Sequence, residues 1–400
     1  MVTTLKYKLA ILTSHPIQYQ APLFRKLAAH PQIDLTVYFC SDRGVVETID
    51  PGFGVTFKWD VPLLEGYSFK FLKNYSSNPS TSRVLGLINP GIFKELRNYR
   101  YNGLVLHGYN LATSYIAYLA AWATKTPTIF RGETVLRPNR PWPVRLGKWT
   151  LLKILFPGMD AFLTIGSRSR EFYRYYGVSE ERMFFTPYAV DNEFFSERCR
   201  AERPRKDLIK QELGIPPDRP VVLFCGKFVP KKRPMDVLDA FQRLARPATL
   251  VYVGDGPLRP EVERAAQHLQ HIHFMGFQNQ SQLPRFYALA DVFVLPSSDE
   301  EVSPLVVNEA MSCQLPLVIS DAVPSAIDFV RHGENGFVYP MGDIAALAGH
   351  LDELLADPGR RAAMGQRSLE IISAWNYDTC VEGIVKALEY ISAKKGISVQ

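Results

Sequence analysis

The chain predicts an α/β fold of two domains, each organised on a parallel β-sheet. Three observations carry this. Short apolar strands alternate with amphipathic helices in two separate series, which is the pattern of parallel βαβ units. In the second series the strands are unbroken apolar runs, as a sheet covered on both faces requires. The 400 residues, 46% of them hydrophobic, can fill two or three cores.

The first series predicts strands at Leu9 to Leu12, Leu35 to Phe39, Gly103 to Leu106, Thr128 to Phe130 and Ala161 to Ile165. Its helices are expected at Ala21 to Ala29, Leu111 to Ala123 and Arg168 to Tyr176. Between them, the alternation of Val55, Phe57, Trp59 and Val61 within residues 52–72 predicts a hairpin or edge strands. The charged, Arg-rich stretch Ser196 to Lys210 reads as a hinge. The second series predicts strands at Val221 to Cys225, Thr249 to Val253, Ile272 to Met275, Val292 to Leu295 and Leu317 to Ile319. Helices separate them at Pro234 to Leu244, Pro257 to Leu269, Ser281 to Leu289 and from Pro304 onward. Three helical patterns close the chain: Ile344 to Leu355, Gly359 to Ile372 and Asp378 to Ile391. The expected division is a first domain over 1–190, a linker over 191–215, a second domain over 216–375, and a helix within 376–400 crossing back to the first domain.

Composition narrows the function classes. Residues 1–190 hold 23 Lys+Arg against 12 Asp+Glu, so the basic charge is concentrated in the first half, which points to an anionic partner. The five cysteines, at 40, 199, 225, 313 and 380, show no close pairing and read as reduced, buried cytosolic thiols. Leu9 to Leu12 is too short for a signal peptide or a spanning helix. Residues 101–124 carry no formal charge, but Asn102, Gly103, His107, Gly108 and Asn110 divide them into strand, loop and helix. A cytoplasmic protein is therefore expected.

The stretch Pro296 to Ser320 holds the sharpest chemical signal. Glu301 lies on a loop after a strand, and Glu309 follows eight residues later, about two turns into a helix. Glu301 thus sits where first-turn N–H groups point outward, a place that holds an anionic phosphate, and a carboxylate further in accepts from a ribose. An acidic turn and a solvated helix residue would be the plainer account of two such carboxylates in isolation. Their surroundings favour a nucleotide-diphosphate site.

Those surroundings are six motifs in one order: F-C-G-K-F-V-P-K-K-R-P at 224–234, V-G-D-G-P at 253–257, M-G-F at 275–277, A-L-A-D-V-F-V-L-P-S at 288–297, the pair Glu301 and Glu309, and H-G-E-N-G-F-V at 332–338. In these the chain resembles the retaining nucleotide-sugar glycosyltransferases of the GT-B fold, group 1, family 4. The likeness implies two Rossmann-like βαβ domains facing each other across a cleft that closes on a UDP- or GDP-sugar. Gly226 would let the backbone approach a phosphate, and Lys227 and Lys232 would grip the diphosphate. The family usually has Arg then Lys here, so Lys227 keeps the charge without the bidentate geometry. Glu309 would accept from the ribose, while Glu301 and the backbone of Ser303, Leu305 and Val306 hold sugar and β-phosphate. The family's Gly-Phe-Gly after the first glutamate is replaced by Val302, Ser303 and Pro304.

In the first half the resemblance carries over locations. His15 and Gln18, in H-P-I-Q-Y, follow the first strand and would contact sugar or acceptor, or shape the turn before Pro16. His107 ends a strand and resembles the cleft histidine that touches the transferred sugar. Arg131 and Glu133 follow another strand end and would bind the acceptor. Within 137–156, Arg137, Arg140, Arg145, Lys148 and Lys153 are interleaved with Trp142, Trp149 and Leu151 to Phe156. This segment fits an anionic membrane interface and equally a core helix with a basic outer face. Nucleic acid is not expected. The implied reaction is metal-independent transfer of a sugar to a saccharide or lipid-linked hydroxyl in cell-surface polysaccharide or glycolipid synthesis. A GT-B nucleotide-sugar epimerase and a non-catalytic sugar-nucleotide-binding subunit are the alternatives.

Overall fold

The computed structural model of the protein describes residues 6–50, 52–137 and 140–397. In chain order it begins with β1 (Tyr7–Thr13), α1 (Ala21–Ala29), β2 (Ile33–Phe39), β3 (Thr48–Asp50), β4 (Val55–Phe57), β5 (Ser68–Phe71) and α2 (Ile92–Tyr99). It continues with β6 (Gly103–His107), α3 (Ala112–Thr124), β7 (Thr128–Arg131), α4 (Trp142–Leu155), β8 (Ala161–Thr164), α5 (Ser167–Tyr175) and β9 (Met183–Phe185). Next come α6 (Asn192–Glu202), α7 (Lys206–Glu212), β10 (Val221–Cys225), α8 (Pro234–Phe241), β11 (Thr249–Val253), α9 (Arg259–Ala266), β12 (Ile272–Phe274) and α10 (Leu283–Leu289). The remainder is β13 (Val292–Leu295), α11 (Leu305–Ser312), β14 (Leu317–Ser320), α12 (Ala326–Phe329), β15 (Gly336–Tyr339), α13 (Ile344–Ala356), α14 (Pro358–Ile372) and α15 (Tyr377–Lys395).

These elements form two compact units. One contains the chain up to Val46, Pro62–Tyr188 and the chain from Tyr377. Its sheet has the order β5-β2-β1-β6-β7-β8-β9, with every pairing parallel. The other contains Glu47–Val61 and Ala189–Asn376. Its sheet, also all parallel, has the order β12-β11-β10-β13-β14-β15. In each sheet the order reverses beside the unit's first long strand, β1 or β10. Strand ends at such a reversal open a crevice that no crossover helix covers, and ligands of α/β sheets bind there.

The expected apolar strands are present, and their alternation explains how the second sheet is covered twice. Val221, Leu223 and Cys225 point to one face, where they pack with Phe286, Tyr287, Val307 and Met311 of α10 and α11. Val222 and Phe224 point to the other, where Val237, Leu238, Leu347 and Leu351 of α8 and α13 meet them. Each such fully buried side chain contributes about 1.5–3 kcal/mol.

Three expectations are corrected. Residues 191–215 are not a linker: α6 and α7 pack into the second unit through Phe195, Cys199 and Ile209, all 2% exposed or less. Asp191 caps α6 by accepting from the N–H of Phe194 at 3.0 Å. The apolar stripe is only three residues wide within an Arg-rich surface, so charge density hid it. Residues 47–61 belong to the second unit rather than to a first domain spanning 1–190, because the rings of Phe53 and Phe277 meet at 4.8 Å and Asn279 donates to the carbonyl of Lys58 at 2.7 Å. Finally, Cys199 and Cys313 are joined in a disulfide, while Cys40, Cys225 and Cys380 are free and buried. The bridge spans 114 residues of sequence, and only the packing of α6 against α11 brings its ends together.

Candidate active site

In the second unit the reversal lies between β10 and β13, and the two loops leaving these strands carry most of the expected residues. Gly226 follows β10, Gly254 follows β11 and Gly276 follows β12. Gly226 donates to the carbonyl of Val253 at 2.9 Å, and Gly254 donates to that of Gly276 at 2.8 Å. The contact is backbone on backbone: a Cβ at Gly254, whose φ is +132°, would lie 1.9 Å from the Gly226 oxygen. Three of the motifs therefore describe one stack of strand ends, where glycine is the residue that fits.

Beyond Gly226 the chain makes a turn over Pro230–Lys232 that carries the lysines. The carbonyl of Lys231 accepts from the N–H of Ser298 at 2.8 Å, which fastens this turn to the loop after β13. Lys232 is 7% exposed, and its ammonium lies 3.0 Å from Glu301 Oε2; Lys231 lies 3.3 Å from the same oxygen. Burial would raise the Glu301 carboxyl, but Lys232 and then Lys231 outweigh it and hold the group below its ordinary value. Glu301 thus stays ionised and fixes the position of a buried ammonium. The Lys227 ammonium stands over the ring of Phe53, 4.5 Å from its centroid.

The loop after β13 ends in α11. Pro304 is its N-cap, in extended conformation, rather than its first turn, so Leu305 and Val306 provide the leading N–H groups. Those two have no intrahelical acceptor. Ser303, half-buried, precedes them. Because the helix starts this late, Glu309 lies one turn into it, not two. The Tyr287 hydroxyl donates to Glu309 Oε2 at 2.6 Å, with the Cys225 thiol buried beside it. Burial pushes the Glu309 carboxyl up to about 7, against the smaller opposing effects of Tyr287 and Lys232. Glu309 is therefore a carboxyl poised between its two protonation states, with one oxygen already engaged.

In the first unit the reversal lies between β1 and β6. His15 and Gln18 lie in the loop after β1, and His107 ends β6 in register with Arg131 at the end of β7. The His15 Nδ1 is 2.8 Å from the Ser14 hydroxyl. Gln18 Oε1 is buried without a hydrogen-bond partner, an acceptor still to be satisfied. The His107 Nδ1 stands 3.4 Å from Gln20 Nε2, and burial, helped by the Arg131 charge, lowers its pKa to about 3. His107 is a neutral imidazole at any working pH. Arg131, buried, donates to the carbonyl of Pro187 at 3.2 Å. Glu133 accepts from the Tyr188 hydroxyl at 2.6 Å, and that hydroxyl stands 2.5 Å from Tyr19 Oη. Burial and the Glu133 charge raise both phenols, so they remain donors.

Sequence reasoning passed over Tyr287, Phe53, Gln20, Tyr19 and Tyr188. Tyr287 reads as a core residue of an apolar helix and carries no local signal. Tyr19 belongs to the H-P-I-Q-Y loop and could have been taken with it.

Residues 205–370 match the family model of group 1 glycosyl transferases. The chain is 32% identical over 183 residues to the sulfoquinovosyl transferase SQD2 of Arabidopsis thaliana, covering 45% of this chain and 34% of that protein. It is 30% identical over 212 residues to a D-inositol 3-phosphate glycosyltransferase of Xylanimonas cellulosilytica, covering 51% of this chain and 50% of that protein. The chain thus spans a third to a half of the length of these relatives. Among solved structures, Anabaena HepE in complex with UDP superposes with a TM-score of 0.71 at 18% identity, over 96% of this chain and 99% of that one. That likeness concerns the fold: two parallel Rossmann-like sheets, the GT-B architecture.

Proposed function

Because residues 205–370 carry a group 1 glycosyl transferase domain, we propose that the protein transfers a sugar from a nucleoside diphosphate to an acceptor hydroxyl with retention of configuration. The observation that carries this reading is the buried Lys232 held by Glu301 beside the first turn of α11, with Glu309 one turn further on. A diphosphate set there meets an ammonium and two unpaired N–H groups, and the negative charge that grows on it as the glycosidic bond breaks is stabilised without reorganisation. Lys227 adds a second cation at the rim. Oε1 of Glu309 accepts from the ribose, since Tyr287 occupies Oε2. Glu301 and the N–H groups of Ser303, Leu305 and Val306 hold the sugar and β-phosphate.

The new bond joins the anomeric carbon to the acceptor oxygen on the face that the phosphate leaves, and the acceptor proton passes to the departing phosphate oxygen. His107, held neutral, serves as a hydrogen-bonding contact to the sugar rather than as a charged acid. His15, Gln18, Arg131 and Glu133 bind acceptor or sugar, and the acceptor is a hydroxyl of a saccharide or lipid-linked glycan. With the phosphate charge met by lysines and helix N–H groups, the reaction proceeds without a metal ion. UDP is the favoured nucleoside diphosphate, since it is the one named in the superposable complex, and GDP is the second choice.

Calorimetry with UDP, GDP and ADP tests the donor site. One base should bind clearly, and Lys232→Ala should abolish that binding while leaving the melting temperature of the free protein within a few degrees. Failure of all three nucleotides to bind would overturn the reading. With a donor and acceptor in hand, NMR of the product anomer tests retention, and activity in excess EDTA tests metal independence.

A further inference from the structure

The Cys199–Cys313 bridge touches the surroundings of Glu309 from two sides. Cys313 caps α11 and donates its N–H to the carbonyl of Glu309 at 3.0 Å. Cys199 stands one turn beyond Phe195 on α6. The Phe195 ring lies 6.0 Å from that of Tyr287, whose hydroxyl donates to Glu309 Oε2. A closed circuit therefore runs from the Glu309 backbone through the bridge to α6, and back through two aromatic rings to the Glu309 carboxyl. Groups packed this closely move together. The S–S bond is the member of the circuit that thiol chemistry can open and remake.

Both cysteines are 2% exposed or less, yet a cavity of about 380 Å³ reaches them. They lie in its lining beside Ser196, Arg200, Arg203 and Gln314, and no carboxylate is among its described lining residues. The volume is that of a small-molecule site. Arg203 donates to the carbonyl of Cys313 and, at 2.8 Å, to Gln314 Oε1, which fixes a cation beside the bridge. Asp291, the carboxylate whose charge acts on Arg203, is held by Lys206 at 2.9 Å. Arg200 is exposed and directly follows Cys199. Cations near a sulfur favour its thiolate, the form that attacks and leaves in exchange. The fold also has room for the opened state. Cys199 Sγ is 3.3 Å from the carbonyl of Pro284 and Cys313 Sγ 3.5 Å from that of Phe195, so each free thiol finds an acceptor.

We propose that this cavity is a thiol-exchange site, at which a small thiol carrying a carboxylate opens the Cys199–Cys313 bridge and so lowers the affinity of the donor site. The effect on affinity rests on the reading of Glu309 as a donor contact. Two arginines without a carboxylate select an acidic thiol over a neutral one. A volume of this size admits a peptide thiol rather than a folded oxidoreductase. The incoming thiolate attacks one sulfur of the bridge. An S–S bond to the small molecule forms, the Cys199–Cys313 bond breaks, and the other cysteine leaves as a thiolate and takes up a proton. A second small thiolate then attacks the small-molecule sulfur and displaces the remaining cysteine. Two thiols are thus oxidised to their disulfide while the bridge takes two electrons and becomes two thiols. The small-molecule disulfide runs the same steps backwards. With the bridge open, α6 can part from α11, and Phe195 no longer holds Tyr287 against Glu309.

Calorimetry with UDP and mass spectrometry of the same samples test this. Reduced glutathione, an acidic peptide thiol, should open the bridge in the folded full chain. Acid quenching should trap a glutathione adduct on Cys199 or Cys313, while Cys40, Cys225 and Cys380 stay unmodified. UDP affinity should fall by at least about fivefold, the lower end of ordinary coupling between sites, and return with glutathione disulfide. Cys199→Ser combined with Cys313→Ser should bind as weakly and ignore the thiol. Arg200→Glu should slow opening by glutathione several-fold and leave opening by neutral 2-mercaptoethanol nearly unchanged. Unchanged UDP affinity with the bridge shown open overturns the proposal. So does a bridge that opens only as the circular-dichroism spectrum is lost, which would mark a purely structural disulfide, and so does an equal effect of Arg200→Glu on both thiols. If UDP, GDP and ADP all fail to bind the oxidised chain, the donor-site reading falls and the affinity effect with it. Adduct formation and its dependence on Arg200 still decide the thiol site in that case.

Discussion

Glu309 is the residue whose chemistry is most open to measurement. In the proposed role Glu309 accepts from the donor ribose as a carboxylate, and burial raises the group to about 7, so binding in that role would deprotonate it at lower pH. The sign follows: nucleotide affinity should rise with pH, by about tenfold between pH 6 and pH 8, as a single group of that pKa requires. Glu309→Gln should bind more weakly at pH 8 and show a flatter profile, the residual slope being the ligand's own phosphate titration. A wild-type profile no steeper than that of the variant would dismiss the role. Tyr287→Phe removes a hydrogen bond that favours the ionised form, so it should move the midpoint to higher pH while the protein remains folded. The same raised pKa means that this carboxyl costs stability when ionised. That cost is absent at pH 4 and grows as pH rises through the window between the ordinary carboxylate value and about 7. Glu309 itself was legible from its spacing to Glu301, but its state was not, because Tyr287 and Cys225 come from other elements.

Among elements, the stack of strand ends and the α6–α11 pair carry separate predictions. Gly254→Ala forces a Cβ to within 1.9 Å of the Gly226 oxygen and cannot relax without moving β10 or β11. It should cost about 2–3 kcal/mol in denaturant unfolding and weaken nucleotide binding, because the Lys232 turn hangs from Gly226. An alanine variant as stable as the parent would show that the two backbones do not meet. The Cys199–Cys313 bridge ties α6 to the end of the helix that bears Glu309. Reduction should lower the stability of the second unit by about 2–4 kcal/mol, seen as an earlier melting transition in reducing buffer that is matched by Cys199→Ser. Identical melting with and without reductant would argue that the bridge contributes nothing. The strands of this stack were readable from continuous apolar runs and glycine motifs. The helices α6 and α7 were not, since three buried residues amid arginines give little periodic signal.

At the scale of the molecule, two units with separate cores share one chain that passes between them more than once. The final helix α15 belongs to the first unit, where Cys380, Ile384, Leu388 and Ile391 are buried and the Cys380 thiol reaches the carbonyl of Pro187 at 3.1 Å. Calorimetry should therefore resolve two transitions, of which nucleotide at a hundredfold excess over Kd raises only the one belonging to the second unit, by about 2.7 kcal/mol. Deleting the chain after Asn376 should abolish the other. A single transition that moves as a whole would contradict this division. The sequence by itself determined the class of fold, the order of the strands' appearance and the positions of the glycine and lysine motifs at the strand ends. Each of these rests on local facts: apolar runs, glycines at strand ends and the spacing of two glutamates. The tertiary structure alone decided which segment belongs to which unit, that Cys199 meets Cys313, and that the Lys232 turn, the Glu301 loop and the helix bearing Glu309 follow adjoining strands. The reason is physical. The order of strands in a sheet is set by crossover connections and by the burial of both faces, so the contacts that define the site join residues of different elements, from Tyr287 with Glu309 to Lys232 with Glu301, and no periodicity along the chain encodes such a pairing.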